Sequence, residues 1–187
     1  MQLSFDIARA DRLRQNSLFS GLDCLPGQHD LFDADDQTMT TITIRQPWAS
    51  LIANGTKRVE NRVWRTRYTG PLVVQAGAKH DAETKHNIQL YDRLLPEGEL
   101  PFGAILGAAW LYGCFRRDDL PRAWKDHEHA EPDQWCWALG KFVPLQTPIA
   151  CSGQQGLFVP KLDALQQEQI DELINRTIAS YDPSLLA

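Results

Sequence analysis

An α+β fold, a small partly open β-barrel with flanking helices preceded by a flexible N-terminal tail, is predicted by three observations. Short β-branched and aliphatic stretches recur between Gly and Pro punctuation from residue 41 onward, as strands of a small barrel do. Helical spacings occur between and after these stretches, which makes the class mixed. Residues 1–38, in contrast, lack sustained periodicity and end in the acidic run Asp33 to Asp36. The expected organisation is a tail over 1–38, a domain over 39–160 and a C-terminal helix within 161–187 that docks on the domain.

The first strand is expected at 41–44, where Thr41-Ile42-Thr43-Ile44 alternates. A short helix follows over 47–54: Pro47 suits a first helical position, and Asn54-Gly55 supplies residues tolerant of positive φ at its end. Trp48, Leu51 and Ile52 fall at i, i+3 and i+4 on one face. An extended segment over 58–63 comes next. If the extension begins at Lys57, then Lys57, Val59, Asn61 and Val63 share one side, and Arg58, Glu60 and Arg62 share the other. That alternation separates Lys57 from Glu60 unless the strand bends. Further strands are expected at 71–76, 103–115, 134–139 and 142–150, and a helix at 81–94. The terminal helix over 162–180 carries Leu162, Leu165, Ile170, Leu173, Ile174 and Ile178 at helical spacings, a face suited to docking.

The chain has 187 residues, 43% of them hydrophobic, enough for one core, and no apolar run approaches the ~18 residues of a membrane span. No secretory signal is read at the N-terminus, so a soluble cytoplasmic protein is expected. Cys24, Cys114, Cys136 and Cys151 form no Cys-x-x-Cys pair and read as reduced thiols. His127 and His129 flank Glu128 with no cysteine at a ligand-like spacing, so no metal and no cofactor is expected.

Net charge is −5, unevenly spread: residues 1–38 carry three Arg against seven Asp, and the remainder sixteen Lys and Arg against seventeen Asp and Glu. A near-neutral domain is unlike a general phosphate-backbone binder, so any nucleic-acid contact must be local. Lys57, Arg58, Arg62, Arg65 and Arg67, set against Glu60, supply such a patch. A solvated strand face would show the same charges.

The segment from Gln46 to Arg62, Gln-Pro-Trp-Ala-Ser-Leu-Ile-Ala-Asn-Gly-Thr-Lys-Arg-Val-Glu-Asn-Arg, resembles the signature of the ASCH family, small domains related to the PUA-like RNA-binding barrels. In that signature a Gln-Pro-Trp helix leads into Gly-x-Lys-x-x-Glu-x-Arg. Trp64, Tyr68, Gly70 and Pro71 with the strand Leu72 to Ala76 are similar to the family's next turn and strand, with Gln75 where many members have His. Gly103 to Gly107 and Pro148 to Leu157 resemble a later strand and the closing loop. The resemblance runs from about residue 39 to 160 and implies a PUA-like barrel whose cleft gathers Lys57, Glu60, Arg62 and the loop Cys151 to Gly156.

It further implies recognition of single-stranded RNA or a modified nucleoside. Lys57 and Arg62 would contact phosphate or a base edge, Glu60 would accept from a base amine, and Trp48, Trp64 or Tyr68 would stack. Gln46, Arg65, Gly153 and Gln155 join this nucleic-acid-binding set. A salt bridge between Glu60 and Arg62 that merely holds the barrel mouth is the competing role. Two activities of relatives are also implied. Hydrolysis of N-acetylated cytidine needs a threonine three residues after the lysine, and Glu60 stands there, with Trp110 near the place of the assisting glutamate. Metal-independent RNA cleavage would draw on Lys57 or Glu60 as base, with Tyr68 and Ser152 as candidate catalytic partners.

In the tail, glutamines recur every 13 residues, and Gln15-x-x-Leu18-Phe19 and Gln28-x-x-Leu31-Phe32 share a pattern. It resembles the short motif by which bacterial replication and repair proteins dock on the sliding clamp, which would make the protein an adaptor. Alternatively these side chains pack back onto the domain, or the tail forms a helical hairpin around Pro26-Gly27.

Overall fold

The structure, a computed structural model, describes residues 39–81, 100–125 and 127–187. The tail motifs at Gln15, Leu18, Phe19, Gln28, Leu31 and Phe32, and the helix expected at 81–94 beyond Asp81, lie outside the described residues. Asp81 itself is not helical.

Residues 39–187 are one compact unit. In chain order it contains β1 (Thr41–Gln46), α1 (Trp48–Ala53), β2 (Val59–Arg62), β3 (Gly70–His80) and β4 (Ala104–Phe115), then a 3-10 turn (Arg117–Asp119). There follow β5 (Trp135–Ala150), β6 (Leu157–Phe158), α2 (Ala164–Ala179) and a closing 3-10 turn (Pro183–Leu186). The strands form one six-stranded curled sheet in the order β2-β5-β4-β3-β1-β6, the partly open barrel expected. β1 runs parallel to β3, Thr43 opposite Gln75, and every other pair is antiparallel.

Both faces of the sheet are covered, which is why β3 and β4 read as continuous apolar runs rather than as alternating ones. On the inner face Ile42, Ile44, Leu72, Val74, Leu111, Trp137 and Leu139 enclose Ala49 and Ile52 of α1. On the outer face Val73, Ile105, Ala108, Val143 and Ile149 meet Ile170, Leu173 and Ile174 of α2. Leu165, at a helical spacing with that set, is instead exposed in the first turn of α2. Asp163 starts this helix with a capping box, its side chain accepting from Gln166 N while the Gln166 side chain accepts from Asp163 N.

The strands expected at 134–139 and 142–150 are one bent strand, β5. The bend comes from register shifts against β4 between Ala109 and Gly113. Gly140 sits in it with no room for a side chain, since a Cβ there would come within 2.9 Å of the Tyr112 ring. Strand β6 was not expected: two residues carry too little pattern to be seen.

Candidate functional site

The site starts where α1 ends. Asn54 Oδ1 accepts from Thr56 N at 3.0 Å, Gly55 takes φ +83, and Lys57 N donates to Leu51 O at 2.9 Å. Glycine suits this turn because a left-handed φ is strained for other residues. The backbone bond holds Lys57 beneath the helix, before β2 begins at Val59. The pleat therefore does not govern its direction, and Lys57 and Glu60 meet rather than diverge. Lys57 Nζ donates to Val59 O and, at 2.6 Å, to Glu60 Oε2, with side-chain exposures of 4% and 9%. Glu60 Oε1 accepts from Arg62 Nη2 at 3.1 Å, so one buried carboxylate bridges two cations.

Arg62 carries the network across the sheet, donating through Nη2 to Thr43 O at 2.7 Å. Thr43 Oγ1 in turn accepts from Gln154 N at 3.0 Å, in the closing loop. Gln75, paired with Thr43 and fully buried, donates to Ala76 O and to Cys151 O at 2.7 and 2.8 Å. Gly153 presses on both: a Cβ there would lie 2.7 Å from Gln75 Oε1 and 2.7 Å from Thr43 Oγ1. The structure thus brings Lys57, Glu60, Arg62 and the loop Cys151 to Gly156 into one continuous polar arrangement. Two buried atoms in it, Arg62 Nε and Gln75 Oε1, have no hydrogen-bond partner. Buried polar atoms without a partner are uncommon, and these two lie at either end of the Thr43 contacts.

Trp48 forms a half-buried wall, its ring 5.8 Å from Lys57 Nζ and edge-on to His129 at 5.7 Å. Trp64 stands edge-on to the buried Trp137 at 4.7 Å and packs on the inner core. Gln46 is committed to the scaffold: its Nε2 donates to Pro101 O at 2.6 Å and its Oε1 accepts from Ser50 N at 3.1 Å, at the start of α1. Tyr68 donates its hydroxyl to Pro71 O at 2.6 Å, and burial pushes its pKa up to about 12. Ser152 and Gln155 are exposed on the closing loop. Arg65 stacks on Trp135, 5.1 Å from the ring centroid.

The second wall carries no signal in the sequence. Asn61, on the opposite face of β2, donates to His129 O at 2.6 Å and accepts from Glu131 N at 3.2 Å, which pins the loop 127–131 beside the site. Arg58 N donates to His127 Nε2 at 3.0 Å. The His127 pKa is lowered to about 4 by burial first, then by His129 and Lys57, and that of His129 is lowered by burial and Lys57. Thr43 was also passed over, though the alternation Thr41-Ile42-Thr43-Ile44 signalled a polar face within the first strand. No cluster able to hold a metal ion occurs among the described residues.

Comparison with known proteins gives three findings. The ASCH domain family matches residues 42–148. Activating signal cointegrator 1 of Homo sapiens is 33% identical over 92 residues, which are 46% of this chain and 16% of that protein; its Mus musculus counterpart is 32% identical over the same shares. The chain therefore spans about a sixth of the length of these curated relatives. The crystal structure of ASCH from Zymomonas mobilis aligns at a TM-score of 0.44 and 15% identity, covering 74% of this chain and 96% of the other. A variant of that protein aligns at 0.45 and 14%, covering 74% and 97%.

Proposed function

The chain belongs to the ASCH domain family, and from that premise we propose that it is an RNA-binding module that takes single-stranded RNA, or a nucleobase, in the cleft lined by Lys57, Glu60 and Arg62. The observation that carries this reading is the Glu60 carboxylate, fixed by two cations, of which Arg62 keeps 24% of its side chain exposed. A base edge presents complementary acceptors and donors at that scale.

The burial divides the roles. Lys57, at 4% exposure, orients Glu60 and balances its charge. Arg62, with 24% of its side chain exposed, is the cation at the surface of the cleft. Each Glu60 oxygen keeps a lone pair after accepting once, enough to receive a base amine. Trp48 offers an aromatic wall, and stacking on such a ring contributes about 1–3 kcal/mol per base. Cys114, Cys136 and Cys151 are free thiols, in keeping with a reducing, cytoplasmic setting.

The hydrolytic readings have less behind them. An activated hydroxyl needs a base within hydrogen-bond reach, and no Ser or Thr hydroxyl bonds to Lys57 among the described residues. Tyr68, donated to Pro71 O and titrating at about 12, is a poor proton shuttle near neutrality.

Fluorescence anisotropy with a labelled single-stranded RNA tests the proposal. Arg62→Gln removes a charge-assisted bond of about 1.5–3 kcal/mol and is expected to weaken binding at least tenfold. Equal affinity of the two proteins, or no binding by the wild type at low salt, would contradict it.

A further inference from the structure

We propose that Arg65 and Arg116, each held against the ring of Trp135, hold the phosphodiester backbone of a single-stranded nucleic acid whose base occupies the Lys57–Glu60–Arg62 cleft. The inference deepens the reading of that cleft and rests on it.

Topology makes the juxtaposition. β5 lies between β2 and β4, so the residues that follow β2 and β4 come together at the start of β5, although Arg65 and Arg116 are far apart in the chain. The Arg65 guanidinium carbon is 5.1 Å from the Trp135 ring centroid and that of Arg116 is 4.0 Å from it. Trp135 pairs directly with Arg62, and opposite residues of an antiparallel pair point to the same face. The stack is therefore continuous with the cleft: Glu60 and Arg62 project from one strand, and Trp135 with its two arginines from the next.

The charge balance of this corner sets it apart in a protein of net charge −5. Among the described residues neither Arg65 nor Arg116 has a carboxylate partner, although Asp118 and Asp119 follow closely in the chain. Arg65 Nε is buried without any hydrogen-bond acceptor. One guanidinium would suffice to cover the indole. Two cations held against one ring without a carboxylate partner repel each other, and an anion within reach of both lowers that repulsion. A guanidinium held over a ring can still present its terminal N–H groups to phosphate oxygens. A strand with one base in the cleft supplies such anions at the spacing of its backbone.

The experiment follows binding of a labelled single-stranded RNA decamer across a salt series, alongside thermal shift with a mononucleoside that carries no phosphate. For Arg65→Gln/Arg116→Gln the slope of log affinity against log salt is expected to shrink by ~1.4, at ~0.7 for each phosphate that the variant no longer neutralises. Affinity at low salt should fall at least tenfold while the nucleoside shift is unchanged. Arg65→Lys/Arg116→Lys, which keeps the charge, should retain most of the slope, and a DNA strand of the same sequence should show it too. An unchanged slope and affinity in the double Gln variant, with its melting temperature intact, overturns the inference. So does displacement of the RNA by polyglutamate as effectively as by unlabelled RNA, which would assign the corner to an acidic protein. Failure of the cleft reading looks different: nucleoside binding would be absent or indifferent to Arg62→Gln, whatever the salt slope does.

Discussion

The Glu60 carboxylate receives Lys57 Nζ at 2.6 Å on one oxygen and Arg62 Nη2 at 3.1 Å on the other; Lys57 and Glu60 are buried and Arg62 is partly exposed. Removing charges from water costs several kcal/mol per ion, so this network is stable only while its charges remain matched. Its consequences can be measured one residue at a time.

Glu60→Gln leaves two cations without their shared anion, whereas Lys57→Met leaves Glu60 still paired with Arg62. Breaking a buried pair from one side costs about 3–5 kcal/mol, and Glu60→Gln is expected in that range with Lys57→Met below it. Urea denaturation checks the order. A double variant, Lys57→Met/Glu60→Gln, should lose less than the two single losses combined.

Acid should loosen the loop 127–131 before it unfolds the domain. His127 titrates at about 4 in the folded protein, against an ordinary 6.5, because burial and neighbouring cations disfavour its charged form. The unfolded chain binds that proton first, so the contribution of His127 to stability is intact above pH 6.5 and is lost progressively as pH falls from 6.5 toward 4. His129, shifted in the same direction, adds to the effect. An NMR titration should find the His127 ring neutral at pH 5.5, and His127→Gln should flatten the stability profile between pH 6.5 and 4.

Gly153→Ala tests how the closing loop seats on Thr43 and Gln75. The new methyl would fall 2.7 Å from both Gln75 Oε1 and Thr43 Oγ1, so the loop must move. Overpacking of this kind costs about 1–3 kcal/mol, and RNA affinity should fall with it. Thermal unfolding and anisotropy measured on the same variant check both effects.

Gln46→Ala should act through the scaffold. It removes bonds to Ser50 N and Pro101 O from a fully buried position, leaving donor and acceptor unpaired at about 1–3 kcal/mol each. A lower melting temperature with RNA affinity preserved below it is the expected result.

Much of this arrangement is legible in the chain itself, for identifiable reasons. Asn54-Gly55 marks the end of α1 because its backbone demands φ +83 at Gly55, and Glu60 and Arg62 share a face because strand periodicity is strict. Lys57 escapes that periodicity: its position comes from a backbone bond to Leu51, which no pattern of side chains records. The bend that makes one strand of 135–150 lies where β4 and β5 slip in register, a property of the pair and not of either strand. The loop with His127 and His129 reaches β2 through hydrogen bonds spanning nearly seventy residues, so its place beside the site appears only in three dimensions. The stack of Arg65 and Arg116 on Trp135 is of the same kind.

Titration of the 15N-labelled protein with a short single-stranded RNA, followed by amide and arginine side-chain NMR signals, maps where the RNA sits. Shifts are expected to concentrate on Thr43, Glu60, Arg62, Gln75 and residues 153–155, with the Arg62 guanidinium signals moving most. Shifts confined to other surfaces, with Arg62 and Gln75 unmoved at saturation, would contradict the cleft reading.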